Sequence, residues 1–201
     1  MKFVRVVRGQ PKGEPQALPK AWGSVSGFDK LPARDLARHG WYPWEEVEAP
    51  AVDERTHKVV TVADVSGGVA RPRHEVVPLT DAECRHELTK ARRAALKRLA
   101  EIRWKHETGG IDFKGIPLHS DRESYTAIKL AALEGREERW KGADGHWYEL
   151  SPDRLQEAAA AVSRHRRDCF AREEELSDKL RAADNVEALD SIDLEAGWPS
   201  S

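Results

Sequence analysis

Ser151-Pro152-Asp153-Arg154-Leu155-Gln156-Glu157-Ala158-Ala159-Ala160-Ala161-Val162 opens the stretch that decides the fold, and its pattern runs on to Ala183. Ser151 is a side chain that caps helices, Pro152 suits a first helical position, and Asp153 complements the positive end of the helix dipole. Beyond this start the residues Leu155, Ala159, Val162, Arg166, Cys169, Glu173, Leu176, Leu180 and Ala183 recur in steps of four and three. That spacing is a heptad seam, interrupted by the polar pair Arg166 and Glu173, and a seam requires a second helix alongside. The partner is either another helix of the same chain, most simply the one that starts at residue 81, or the same helix in a second copy. For a second copy, the seam residues Leu155 to Leu180 are the expected oligomer interface.

Working outward, Thr80-Asp81-Ala82-Glu83 has the form of a capping box and announces a helix. Its apolar positions are Cys84, Leu88, Ala91, Ala95, Leu99 and Ile102, and Gly109-Gly110 ends it. Between Arg85 and Lys105 it carries eight Lys or Arg residues against Glu87 and Glu101, a local balance of +6. From Glu173 to Glu195 nine acids face Lys179 and Arg181, a balance of −7. Acidic on basic packing follows, within the chain or between copies, although a solvated face explains most such charges. Between the long helices, Ser120-Asp121-Arg122-Glu123 reads as a second capping box, preceded by a strand-like segment over 111–118. Trp140 to Leu150 reads as a hairpin around Asp144-Gly145.

Toward the N-terminus the signals change to period two. His57 to Leu79 predicts a β-hairpin turning at Gly67-Gly68, with Pro72 and Pro78 placing its second strand at an edge or interrupting it. Residues 31–40 predict one short helix stopped by Gly40, followed by the rings Trp41, Tyr42 and Trp44. These rings either build a small core or form a contact surface. Residues 1–27, rich in Pro and Gly, predict an extended arm or a strand followed by loop. The expected fold class is α+β: a small mixed, β-rich module over 1–80, then a mainly helical domain over 81–201 with a β-hairpin and one long heptad-patterned helix.

The composition bounds the function classes. The net charge is −2, from 33 Lys and Arg against 35 Asp and Glu, so no global attraction to nucleic acid arises. The longest apolar runs hold a few residues, far short of the roughly 20 that span a bilayer, and no signal-peptide hydrophobic region forms. Neither nucleic acid binding nor membrane insertion is expected. Cys84 and Cys169 are too few for a disulfide framework and read as reduced core thiols.

No catalytic pattern stands up. In Gly23-Ser24-Val25-Ser26-Gly27 the central residue is Val25, so the nucleophile elbow is misplaced. His165 and Cys169 have the i,i+4 spacing of two ligands on one helix, which does not hold zinc without a third. Carboxylate pairs abound but imply no pocket. The expectation is therefore no enzyme, no metal and no cofactor. Exposed rings among Trp41, Tyr42, Trp44, Trp147 and Tyr148 are the candidate surface for a partner or a host glycan, since flat apolar faces stack on both.

One set of segments is more specific: Arg103-Trp104-Lys105-His106-Glu107-Thr108-Gly109-Gly110-Ile111, Leu118-His119-Ser120-Asp121-Arg122-Glu123-Ser124, Trp140 to Gly145, and Cys169-Phe170-Ala171-Arg172-Glu173. In this order and spacing, over roughly residues 83–198, the chain resembles a domain of unknown function at the C-terminal ends of tailed-bacteriophage tail-fibre and tail-fibre-associated proteins. Ser26-Gly27-Phe28 with Gly40-Trp41-Tyr42-Pro43 is similar to the small module that precedes this domain in phage and prophage proteins. Gly197-Trp198-Pro199 is similar to the Trp-Pro ends of tail-fibre assembly chaperones. The resemblance carries over no catalytic residue. It implies a virion tail component made in the host cytoplasm, with other tail or fibre proteins as partners, a homotrimer favoured, and either a structural or an assembly-chaperone role.

Overall fold

A computed structural model describes residues 1–200 and is of mixed α+β class, with strands early and a mainly helical region later. The chain divides into two compact units, Met1–Cys84 and Arg85–Ser201, four residues beyond the boundary expected from the capping box.

In the first unit, β1 (Phe3–Val7) pairs antiparallel with both β2 (Gln10–Gln16) and β5 (Trp41–Pro43), in the order β2-β1-β5. The segment read as an extended arm or as a strand followed by loop is thus two strands, its Pro-rich part included. Pro11 and Pro15 are tolerated because β2 is an edge, where a missing N–H leaves no ladder partner unsatisfied. A miniature hairpin, β3 (Ala21–Trp22) with β4 (Val25–Ser26), and α1 (Ala33–Arg38) complete the cover of this sheet. Gly40 stops α1 at φ +77°, and an added Cβ there would lie 2.9 Å from the Val6 carbonyl oxygen. That close approach lets Val6 N–H donate to the Gly40 carbonyl at 2.7 Å.

Phe28, Leu36 and Trp41 are buried together, with the Trp22 ring edge-on to Trp41 at 5.2 Å. The ring cluster therefore resolves unequally. Trp41 is 2% exposed and belongs to the core, not to a contact surface, while Tyr42 and Trp44 are half-buried. The long hairpin is β6 (His57–Ser66) with β7 (Val69–Pro78), in register from His57↔Pro78 to Ser66↔Val69. Pro72 does not interrupt β7. Its turn uses Gly67 and Gly68 at φ +59° and +77°, where side chains are disfavoured.

Helix α2 (Asp81–Thr108) starts at the expected box, Thr80 N–H donating to Glu83 Oε2 at 2.8 Å. In the second unit it is followed by β8 (Ile111–Phe113) and β9 (Ile116–Leu118), a tight hairpin turned at Lys114-Gly115 where one strand was expected. Helix α3 (Arg122–Glu134) begins one residue later than the predicted box. Asp121 is its cap and accepts from the Glu123 and Ser124 N–H groups. Ser120 is buried instead, accepting from Gly110 N–H and donating to the Glu107 carbonyl, which ties the α2 end to the next segment.

The hairpin β10 (Glu138–Lys141) with β11 (Trp147–Leu150) forms as expected around Asp144-Gly145. Helix α4 (Pro152–Ala182) is capped by Ser151, and α5 (Val186–Asp190) by Asn185.

Two apolar cores meet on α4. Leu155, Ala159 and Val162 pack with Ile111, Leu118, Ile128 and Leu150. Leu176 and Leu180 pack with Leu99 and Leu189. The heptad seam is consequently filled from within the chain by α2, α3, α5 and the hairpins. Leu155, Val162 and Cys169 are 0% exposed and Leu176 and Leu180 1%, so these residues leave no face for a second copy. The expected oligomer interface does not lie there. The physical reason is that α2 supplies the complementary stripe antiparallel to α4, Arg92 donating to the Leu180 and Ala183 carbonyls at one end. Cys169 is a core thiol as expected, whereas Cys84 is exposed.

Candidate functional site

Between the two apolar cores, the polar interruptions of the seam meet polar residues of α2. Glu107 is the centre. Its side chain is 4% exposed, and Oε1 accepts from Arg166 Nε at 3.0 Å and Nη2 at 2.6 Å, while Oε2 accepts from Arg103 Nη1. Arg103 also brings Nε within 3.3 Å of Glu173 Oε2, without hydrogen-bond alignment. One carboxylate thus fixes two guanidiniums, that of Arg103 four residues before it on α2 and that of Arg166 reaching across from α4. Isolated charges at this depth are strongly disfavoured, and mutual neutralisation is what makes the layer tolerable.

Each guanidinium also lies over a ring. Arg103 is 4.7 Å from the Phe170 centroid and Arg166 is 4.4 Å from that of Tyr125. These cation–π contacts restrict the two side chains further. Hydrogen bonding from Ser163, then from Lys129, holds the Tyr125 phenol below its ordinary range.

Beside this network sits the pair singled out as a two-ligand spacing. His165 Nε2 is 2.9 Å from the His106 carbonyl oxygen and 3.8 Å from Cys169 Sγ. Since a carbonyl only accepts, Nε2 carries the proton and donates to it, and this nitrogen has no lone pair to take the thiol proton. Burial, reinforced by the charge of Glu107, pushes the Cys169 thiol up to about 11. The arrangement is the opposite of an activated thiolate, which needs a nearby base or positive field. Among the described residues no three His, Cys, Asp or Glu side chains are grouped to hold a metal.

The C-terminal segment closes over the same region. Trp198 stacks on His106 at 5.1 Å with 4° between the planes, and its Nε1 donates to the Leu194 carbonyl. Arg172 donates from Nε and Nη2 to the Ala196 carbonyl. The Gly-Trp-Pro end therefore contributes packing for its own unit.

Of the rings proposed as a contact surface, Trp147 is 58% exposed, and Tyr148 donates its hydroxyl to Asp144. Rings not singled out are equally prominent: Trp104 is 60% and Phe170 45% exposed. Both flank the Glu107 network. The signal for it was in the sequence, since Arg166 and Glu173 interrupt the seam and Arg103 and Glu107 are the complementary i,i+4 pair on the partner helix.

Among the described residues no helix is long and apolar enough to cross a membrane. The family described as a domain of unknown function, DUF4376, matches residues 90–196, more than half of the chain. The match contains the whole Glu107 network. No curated protein and no solved structure matches the chain.

Proposed function

The chain belongs to the DUF4376 family of domains of unknown function, and we propose that it is a structural component of a tailed-bacteriophage tail fibre or tail tip, or of a phage-like particle. In that role it connects tail proteins or presents a host-binding surface. The observation that carries the reading is the set of large rings left in water on an otherwise charged unit: Trp104, Trp147 and Phe170. Aromatic residues with arginines beside them are the composition of interface centres, where they supply much of the binding energy. The resemblance of the segments around Trp104, Ser120, Asp144 and Phe170 to tail-fibre-associated proteins supplies the context. The place of action is the virion tail, after synthesis in the host cytoplasm, and the partners are other tail or fibre proteins.

A tail-fibre assembly chaperone is the second reading. What favours it is the seam filled from within the chain, which leaves these residues no coiled-coil shaft to build. A homotrimer, if formed in the particle, uses other surfaces.

Mass spectrometry of purified mature particles, with light scattering on the recombinant chain, separates the two. Presence at stoichiometric copy number is the expected result. Absence from particles, with co-purification on unassembled fibre, replaces the structural role by the chaperone role. Absence from both overturns both.

A further inference from the structure

Two shallow depressions lie on either side of the Glu107 network, with volumes of about 460 and 500 Å³. Phe170 and Arg167 line the first, Trp104 and Arg122 the second, and the network itself presents Arg166 to one and Arg103 to the other. They are neighbours, because the Arg103 guanidinium of the second lies over the Phe170 ring of the first. Both fall within the size range of small-ligand sites.

The lining has the same composition on both sides. Each depression has one guanidinium locked by Glu107, one guanidinium with no ion partner among the described residues, and one ring substantially in water. Four arginines line the pair against Glu107, Asp121 and Glu174. Glu107 is consumed by Arg103 and Arg166, and Asp121 by the α3 cap, so Glu174 is the remaining carboxylate free to accept from a ligand. Hydroxyls of Tyr125, Ser163 and Thr108 complete the rim.

A flat apolar ring bordered by hydroxyls and a carboxylate complements a pyranose, which has an apolar face and a polar edge. The unpaired cations Arg122 and Arg167 add a requirement for negative charge. The walls come from α2, the start of α3 and α4, so the strand addition by which extended peptides bind has no strand to use here.

We propose that the two depressions form one binding site for an acidic oligosaccharide, its sugar rings stacking on Trp104 and Phe170 and its carboxylates paired with Arg122 and Arg167. Glu107 acts as a positioning residue, holding Arg103 and Arg166 in place before the ligand arrives. Preorganisation of this kind reduces the ordering cost of binding. The inference shares the Trp104 and Phe170 rings with the host-binding part of the tail reading and names the ligand class that they would take.

The test is calorimetric titration of the full chain with trigalacturonate, trimannuronate and sialyllactose, alongside neutral maltotriose and hexaglutamate. At least one acidic saccharide should bind, weakening as salt is raised, and maltotriose should not. Phe170→Ala and Arg167→Glu change exposed residues and should each weaken binding about tenfold or more, whereas Leu133→Ala, at an exposed position near the end of α3, should leave it unchanged. Circular dichroism checks that each variant is folded. Three results overturn the proposal: no acidic saccharide binds, hexaglutamate binds in their place, or folded Phe170 and Arg167 variants bind as well as the parent. Particle retention is measured separately, so failure here and failure of the tail reading are distinguishable.

Discussion

Replacing Glu107 by Gln keeps the side-chain shape and removes one charge from the centre of the second unit. In the parent, the carboxylate takes bonds from both Arg103 and Arg166, whose side chains are each 17% exposed. After the change Arg103 retains Glu173 at 3.3 Å, but Arg166 is left with the Tyr125 ring and no carboxylate. Removing one partner of a buried ion pair costs about 3–5 kcal/mol. The Gln carbonyl still accepts one N–H from a charged donor, a bond of about 1.5–3 kcal/mol, so Glu107→Gln should cost about 2 kcal/mol and Glu107→Ala about 4–5 kcal/mol. Native-state amide exchange along α4 reads the opening free energy of this unit directly. The double variant Glu107→Gln with Arg166→Met should lose less than the sum of the single losses, because each single change strands the other's partner. A Glu107→Gln loss below about 1 kcal/mol, or strictly additive losses, would refute the assignment of Glu107 as the neutralising centre.

Thiol labelling should split the cysteines: Cys84 is exposed and reacts with iodoacetamide at pH 8, while Cys169 reacts only after unfolding. The raised Cys169 thiol makes the folded state hold a proton that the unfolded state releases near 9. Its contribution is complete below about 9 and lost as pH rises through about 11, which denaturant titrations across that window measure. Leu176→Asp places a charge among Leu99, Leu180 and Leu189 and should destabilise the second unit by at least about 4 kcal/mol. Sedimentation of the fraction that remains folded should show an unchanged mass, and dissociation of an assembly would restore the intermolecular seam. Gly40→Ala combines a positive φ with a 2.9 Å approach to Val6 and should cost more than about 1 kcal/mol, read by thermal melting of the first unit.

Start and stop signals carried most of the fold. Ser151-Pro152, Thr80 with Glu83, Gly67-Gly68 and Asp144-Gly145 each encode a local geometry that tertiary packing had no reason to override. The strand over Gln10–Gln16 was illegible because its Pro and Gly content is that of a loop, and only pairing with β1 makes it a strand. The segment over 111–118 read as one strand because Lys114, at φ 53°, gives no turn signal of its own. Ser120 and Asp121 are both good caps. Burial decided between them, since Ser120 is committed to the Gly110 and Glu107 backbones. The candidate site was half legible: Arg166 and Glu173 stood out as interruptions and the helix from residue 81 was the simplest partner within the chain, but periodicity does not give the register that sets Arg103 and Glu107 against them.

The answer fixes how α2 and α4 are aligned. Apolar layers tolerate a slip of one helical turn, because Leu, Ala and Val are nearly interchangeable along a stripe. The charged layer does not. In the observed antiparallel alignment Arg103 meets Glu173, and Glu107 meets Arg166. A slip of one turn in one direction carries Arg103 to the place of Glu107, opposite Arg166. A slip the other way carries Glu107 to the place of Arg103, opposite Glu173. Either alternative sets like charges against each other in a layer with little water, where repulsion is costly. The two interruptions that weaken the seam as an oligomer contact are therefore what specify its one internal alignment. That alignment also places the Trp104 and Phe170 rings on either side of the same arginines.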